Sequence, residues 1–198
     1  MKPYPLFADI ENRAVLVVGG GEVAARKVRR LLESGALVTV VAPEAGAELR
    51  EMEEQGLVTV RRRAYSRGDL EGCILAFAAT DDPEVNGRVA GEAHESGILV
   101  NRIDGEAESG SFTVPSVVRR GPLDVAFSAG GLPLLVKSLG EYFRGKLYPE
   151  LAGEIEELLA ERRGICGDPK LSRNERREMI EDRLGPKIEH IIEKIEAS

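Results

Sequence analysis

A glycine-rich turn directly after a short apolar run is the feature that most constrains the fold. Ala14–Val18 (AVLVV) is continuously apolar, as is typical of a strand buried on both faces of a parallel sheet. Gly19-Gly20-Gly21 follows, and the apolar spacing over residues 22–34 predicts a helix that ends at Gly35. A strand, a tight turn and a helix in this order favour an α/β fold.

The alternation of strand and helix continues to about residue 103. Four further strands are predicted, at residues 37–42, 58–62, 74–79 and 98–103, and the third of these is continuously apolar. Two more helices are predicted, over residues 44–55 and from Asp82-Pro83 to about residue 95. Because strands that alternate with helices form parallel sheets covered on both faces, we predict a Rossmann-type domain over residues 1–110.

The pattern changes after residue 104. Residues 111–117 and 123–128 predict two strands joined by a turn at 119–122, and a helix is predicted from about 133 to 148. Residues 149–198 are charged and helical in pattern, with interruptions predicted around 164–169 and at Gly185-Pro186. Apolar residues at helical spacing in this region predict an amphipathic helix that packs on the domain or across a dimer. They are Ile188, Ile191, Ile192 and Ile195.

The glycine turn has the spacing of a dinucleotide-binding motif, Gly19-x-Gly21-x-x-Ala24. In such motifs the first glycine permits the tight turn, the second lets the main chain approach a pyrophosphate, and the third, small residue lets helix and strand pack closely. The free N–H groups at the helix start then face the anion. The motif therefore predicts a nicotinamide dinucleotide. A glycine turn without a ligand is the alternative, which the flanking strands and helix disfavour.

Glu44 indicates which dinucleotide is preferred. It lies just after the second predicted strand, and no arginine stands next to it. A carboxylate at this place accepts hydrogen bonds from the ribose 2′-OH and repels a 2′-phosphate, which favours NAD over NADP. Alternatively, Glu44 only adds favourable negative charge to the first turn of a helix.

Composition narrows the class of partner. The net charge of −7 argues against nucleic acid or an anionic membrane, and 5% aromatic residues without tryptophan argue against a base-stacking platform. Two cysteines without CxxC spacing and the separated His94 and His190 predict no resident metal. We expect a cytoplasmic protein, since no apolar run approaches the ~20 residues that span a bilayer and the start lacks a signal-peptide pattern.

Four segments in a fixed order carry a family resemblance. They are PLFADIENRAVLVVGGGEVAARKV, AATDDPEVN (78–86), NRID (101–104) and SFTVPSVVRRGPLDVAFSAGG (111–131), followed by a helix. Over roughly residues 4–148 the chain resembles the precorrin-2 dehydrogenase / sirohydrochlorin ferrochelatase family, which includes the N-terminal part of siroheme synthases. The resemblance implies an NAD-binding Rossmann domain, a dimerisation segment over 111–148 and a helical C-terminal region over 149–198.

The resemblance also implies an activity and a cofactor site. The family oxidises precorrin-2 to sirohydrochlorin with NAD⁺, some members also insert Fe²⁺, and a homodimer is expected. Thr80 and Asp81 follow a predicted strand at its carboxyl end, where such sheets bind ligands. The expected NAD contacts are Gly19, Gly21, Glu22, Val23, Pro43, Glu44, Thr80 and Asp81.

Asp104 matches the family's catalytic aspartate. A carboxylate there would take a proton as general base while the nicotinamide takes a hydride. Taken alone, Asp104 before Gly105 could equally begin a turn, and the resemblance favours catalysis. For the carboxylates of the substrate we predict contacts from Arg102, Ser128 and Lys137.

Two points stay open in the sequence. Family members often read Ser-x-Gly-Gly-x-Ser-Pro where this chain has Leu132-Pro133-Leu134 after the glycines, so the role of the second serine is not transferred and Fe²⁺ insertion is uncertain. The alternatives to the predicted activity are a dehydrogenase for another small acid and an NAD-sensing regulatory module. The segment 111–131 argues against a bare sensor domain, which has no need of it.

Overall fold

The chain forms two compact units in a computed structural model that describes residues 4–103 and 110–198. The first unit extends to Val114 and the second runs from Pro115 to Ser198. Residues 111–114, which the sequence pattern groups with the central segment, pack on the first unit. The Ser111 amide donates to the Val100 carbonyl at 2.8 Å, and Phe112 makes an edge-on contact with Phe77.

The first unit contains a five-stranded parallel sheet in the order β3-β2-β1-β4-β5. Its strands are β1 (Ala14–Val18), β2 (Leu37–Val41), β3 (Val58–Arg61), β4 (Leu75–Ala78) and β5 (Leu99–Arg102). Each lies within one residue of its predicted bounds, so the predicted parallel α/β sheet is confirmed. The strand order reverses between β1 and β4, and ligands of such sheets bind at the carboxyl edge beside that reversal.

Alternation along β1 divides the core into two layers. Val15 and Val17 pack with α1 (Glu22–Glu33) and α2 (Ala47–Glu54) on one face of the sheet. Leu16 and Val18 pack on the other face, against apolar side chains of α3 (Pro83–Glu95). Because both faces are covered, β1 needs no polar position, which is why the AVLVV run identifies it.

Helix α2 begins three residues later than the sequence predicts. The predicted start at Glu44 is wrong because the chain after β2 is held by the glycine turn. The Gly46 amide donates to the Gly20 carbonyl at 2.9 Å, and Gly46 then serves as the N-cap of α2. A tertiary hydrogen bond therefore sets this helix start.

The second unit has an antiparallel hairpin and three helices. They are β6 (Ser116–Arg120), β7 (Leu123–Phe127), α4 (Pro133–Lys146), α5 (Leu151–Gly167) and α6 (Arg173–Ala197). The predicted strand start at residue 111 is wrong, since β6 begins at Ser116. The turn is also shorter than predicted, because Arg119 and Arg120 pair with β7. Gly121, with φ of +55°, provides the positive φ that a two-residue hairpin turn needs.

Helix α6 continues through Pro186, so the predicted interruption at Gly185-Pro186 is wrong. Proline lacks the N–H that would bond back along the helix. Leu184 and Ile191, on either side of Pro186, are both buried, and Ile191 packs in the core of the second unit, which holds the helix in place. Ile195 packs on the same core, whereas Ile188 and Ile192 of the predicted apolar stripe are 43% and 49% exposed.

Across the described ranges, no helix is long and apolar enough to cross a bilayer.

Candidate functional site

Gly19 and Gly20 are fixed as glycine by neighbouring main chain. Gly19 has φ of +128°, and a Cβ added there would lie 2.2 Å from the carbonyl oxygen of Ala79. A Cβ added to Gly20 would lie 1.8 Å from the carbonyl oxygen of Glu44. The turn is therefore in direct contact with the chain that leaves β4 and with the chain that leaves β2. The motif spacing assigns no role to Gly20, and only the structure reveals its contact.

Gly21 differs, because nothing lies within 4 Å of a Cβ added to it. It is the N-cap of α1, with extended φ of −84°, and no side chain caps the helix. The first N–H groups of a helix have no acceptor within the helix. Uncapped amides with open space in front of Gly21 form a site that an anion can approach closely.

The chain after β2 brings a carboxylate to the glycine turn. Pro43 and Glu44 are both exposed, and the main chain of Glu44 contacts Gly20. Arg50 is occupied elsewhere, since its Nη1 donates to the Ala45 carbonyl at 3.0 Å. Within residues 4–103 and 110–198, no cation pairs with the Glu44 carboxylate, so its oxygens are available to a hydroxyl donor.

The chain after β4 completes the edge. The Ala79 amide donates to the Val18 carbonyl at 2.8 Å, which sets the end of β4 beside the end of β1. Thr80 follows, half-buried, and Asp81 is exposed. The main chain of Thr80 is tied to the side chain of Asn86, a fully buried amide in the first turns of α3. Sequence reasoning did not single out Asn86; its signal is a polar residue within the helix face that packs on the sheet.

The structure thus brings the predicted cofactor residues together at one edge of the sheet. They are Gly19, Gly21, Glu22, Val23, Pro43, Glu44, Thr80 and Asp81. Glu22 is exposed and Val23 is half-buried in the first turn of α1. The uncapped start of α1 lies at the centre of this edge, and the main chain of the exposed residue Glu44 contacts the turn. The geometry of the edge suits an extended ligand that carries a diphosphate and a ribose.

The other predicted site residues belong to different parts of the chain. Arg102 is half-buried at the carboxyl end of β5. Asp104, the predicted catalytic base, lies outside the described residues. Ser128 is exposed after β7 in the second unit, and Lys137 of α4 is 74% exposed with its ammonium 3.8 Å from Glu141. In the part of the chain that the structure describes, no three His, Cys, Asp or Glu residues are grouped so that they could hold a metal ion.

Lys27 of α1 is a cation whose side chain is partly buried against an aromatic ring. Its side chain is half-buried, and its ammonium lies 5.6 Å from the centroid of the Phe77 ring. Burial, followed by the positive charges of Arg30 and Arg26, lowers the pKa of Lys27 from its ordinary value of 10.5. Its contact with the ring is the cation–π type.

Comparison with known proteins bears directly on this edge. A family model described as putative NAD(P)-binding matches residues 6–116, more than half of the chain. The siroheme synthase of Azotobacter vinelandii is 42% identical over 177 residues, which cover 87% of this chain and 38% of that protein. The siroheme synthase of Chromobacterium violaceum is 44% identical over 140 residues, 70% of this chain and 30% of that protein.

A solved structure matches over the whole chain. SirC, a precorrin-2 dehydrogenase, has a TM-score of 0.75 and 29% sequence identity, and the match covers 99% of this chain and 100% of that one. By contrast, the chain spans little more than a third of the length of the siroheme synthases.

Proposed function

The chain belongs to the family of putative NAD(P)-binding proteins, and on that premise we propose that it oxidises precorrin-2 to sirohydrochlorin with NAD⁺. Its first unit is a nicotinamide-dinucleotide-binding domain, and the resemblance to precorrin-2 dehydrogenases and siroheme synthases is confirmed. The observation that carries the proposal is the uncapped start of α1, which opens at Gly21 beside the reversal of strand order. The full-length match to SirC supports the choice of substrate.

NAD⁺ is preferred to NADP⁺ in this proposal because of Glu44. The main chain of Glu44 contacts the glycine turn and the residue is exposed, so in this proposal its carboxylate accepts hydrogen bonds from the adenosine ribose and repels a 2′-phosphate. The test is oxidation of precorrin-2 with each dinucleotide. Wild-type protein should prefer NAD⁺, and Glu44→Ser should reduce that preference at least about tenfold, the effect of ~1.4 kcal/mol. A wild type that prefers NADP⁺ would overturn the assignment.

The chain's own residues must position the substrates and remove a proton. The reaction takes a hydride and a proton from precorrin-2 and yields sirohydrochlorin, NADH and H⁺. The nicotinamide, when bound, accepts the hydride. The amides of α1 hold the diphosphate, and Asp104, which follows β5 by two residues, takes the proton as general base.

The proposed role of Asp104 is tested by Asp104→Ala. NAD⁺ affinity should stay within about twofold of wild type, because the residue acts on the macrocycle. Formation of sirohydrochlorin should fall by ~10²-fold or more, in the range that loss of a general base produces. Turnover at the wild-type rate in Asp104→Ala would remove the residue from the mechanism.

Carboxylates of the substrate need cationic or N–H partners. We propose Arg102 for the first unit, since a guanidinium binds carboxylates bidentately. Ser128 and Lys137 stay predictions for the second unit. We extend only the dehydrogenase step to this chain; Fe²⁺ insertion, in which iron is a substrate, stays a prediction from the resemblance.

The active form in this proposal is a cytoplasmic homodimer. Leu135 and Tyr142 of α4, seven residues apart on one helix face, are 48% and 59% exposed, and Leu134 is 80% exposed. Large apolar side chains clustered on one exposed element are typical of subunit interfaces. Cys73 and Cys166 are both free thiols, as expected in a reducing compartment.

A further inference from the structure

Asn86 forms a hydrogen-bonded pair with the main chain of Thr80. Its Nδ2 donates to the Thr80 carbonyl at 3.0 Å, and its Oδ1 accepts from the Thr80 amide at 3.2 Å. Because one main-chain donor and one main-chain acceptor face the amide, its orientation is determined. Oδ1 also accepts from the Thr80 hydroxyl at 2.8 Å. The Thr80 hydroxyl also bonds the main chain of Asp82, whereas the Thr80 amide and carbonyl are both bonded to the side chain of Asn86.

This pair is distinct from the cap of α3. Asp82 is the N-cap, and its Oδ1 accepts from the amides of Glu84 and Val85 at 2.8 and 3.3 Å. The helix start is thus satisfied without Asn86. A fully buried amide is unfavourable unless it is hydrogen-bonded, and the bonds to Thr80 provide Asn86 with both an acceptor and a donor.

The loop held by Asn86 is part of the glycine-turn edge. A Cβ added to Gly19 would lie 3.2 Å from the Thr80 amide nitrogen, so Thr80 packs directly against the turn. Any movement of Thr80 therefore changes the β4 side of the predicted dinucleotide site at the glycine turn, here called the crevice. The contacts run in an unbroken series from Asn86 through Thr80 to Gly19.

We propose that Asn86 is a positioning residue of the dinucleotide site. It holds Thr80 against Gly19 and thereby sets the β4 side of the crevice before the dinucleotide binds. This inference rests on the proposed function, because it assumes that the crevice binds NAD⁺. Preorganisation of this kind raises affinity by removing the need to order the loop on binding.

The experiment compares Asn86→Ala with Val89→Ala in the full chain. Val89 is fully buried in the same helix and makes apolar contacts with the sheet, so its truncation destabilises α3 without touching the pair. Asn86→Ala should weaken NAD⁺ binding at least about tenfold, because the Thr80 loop must then be ordered when the dinucleotide binds. It should raise KM for NAD⁺ and leave kcat at saturating NAD⁺ within about threefold. Val89→Ala should bind NAD⁺ like wild type.

A second measurement does not depend on the ligand. Hydrogen exchange at the Thr80 amide should accelerate at least about tenfold in Asn86→Ala and stay slow in Val89→Ala, because only the former removes its acceptor. If Asn86→Ala does not fold, Asn86→Asp replaces it. The aspartate has the same shape, keeps the acceptor and loses the donor to the Thr80 carbonyl, and it should also weaken NAD⁺ binding about tenfold.

The outcomes separate the inference from the function. Wild-type NAD⁺ affinity in folded Asn86→Ala, with faster exchange at the Thr80 amide, would overturn the inference and leave the function intact, and so would wild-type affinity in Asn86→Asp. An equal loss of affinity in Val89→Ala would also overturn it, because destabilisation of α3 would then explain the effect. A wild-type chain that binds neither NAD⁺ nor NADP⁺ would overturn the proposed function itself.

Discussion

Three consecutive glycines in this chain carry three different constraints. Gly19 needs a positive φ and contact with Ala79, Gly20 needs contact with Glu44, and Gly21 has free space around an extended backbone. Sequence spacing identifies Gly19 and Gly21 but gives Gly20 no role, because the contact at Gly20 comes from a chain segment 24 residues away. A side chain at Gly19 or Gly20 would clash with neighbouring main chain even without a ligand. A side chain at Gly21 would be accommodated by the protein and would interfere only with a bound ligand.

Gly21→Asp should separate cofactor binding from folding. The backbone at Gly21 accommodates a side chain, and aspartate is a favourable N-cap, so thermal stability should be unchanged or rise by a few tenths of a kcal/mol. The carboxylate would occupy and repel the diphosphate position, and NAD⁺ affinity should fall at least about a hundredfold. Calorimetric titration and a thermal melt measure the two effects.

Gly21→Asn is the matched control for the charge. It caps α1 equally well and has the same size, so it should lose affinity through crowding alone and bind NAD⁺ more tightly than Gly21→Asp. Equal affinity of wild type and Gly21→Asp would mean that no diphosphate binds at this turn.

Lys27→Met should stabilise the protein at neutral pH. The folded-state pKa of Lys27 is lowered by burial and by Arg30 and Arg26, so the charged form disfavours folding wherever both states are protonated. The gain should be full below the lowered pKa and should shrink as the pH rises from there towards 10.5, since lysine then folds in its neutral form. Thermal melts of both proteins over this range provide the test. A gain that grows with pH would contradict the assignment.

At the scale of elements, the sequence pattern predicts the bounds of those helices and strands that depend on local interactions. The bounds of the five strands of the first unit are predicted to within one residue. Each strand either is buried on both faces or has a Gly or Pro near one of its ends. The starts of α2 and β6 are not predictable from pattern, since α2 is delayed by the Gly46–Gly20 hydrogen bond and residues 111–114 pack on the first unit instead of extending the hairpin. The role of Asn86 is not predictable from pattern either, because it depends on tertiary hydrogen bonds to Thr80.

Helix α6 shows tertiary packing overriding propensity at Pro186. Pro186→Ala should raise the free energy of unfolding by about 1–3 kcal/mol, because it restores a helical hydrogen bond at an exposed position without changing the core. Chemical denaturation measures this change. Gly185→Ala is the control: a Cβ there meets open space, so a gain of only ~1 kcal/mol is expected. A loss of stability in Pro186→Ala would show that the proline is required by the helix.

At the scale of the whole molecule, subunit association follows from the exposed face of α4. Light scattering of the purified chain should give twice the monomer mass of 21.5 kDa. Tyr142→Glu should shift the equilibrium towards monomer, because a charge would be desolvated in the interface. Leu57→Glu, at an apolar residue of the first unit that is 49% exposed, is the control and should leave the mass unchanged. A monomeric wild type at micromolar concentration would contradict the proposed dimer.

The stoichiometry of oxidation tests the proposed dehydrogenase activity most directly. Precorrin-2 is incubated with the chain and NAD⁺ without oxygen, and NADH and sirohydrochlorin are followed together by their absorption. Wild-type protein should give one NADH for each sirohydrochlorin, and Gly21→Asp should give neither product above background. Sirohydrochlorin formed at the same rate with and without NAD⁺, or with no matching NADH, would contradict it.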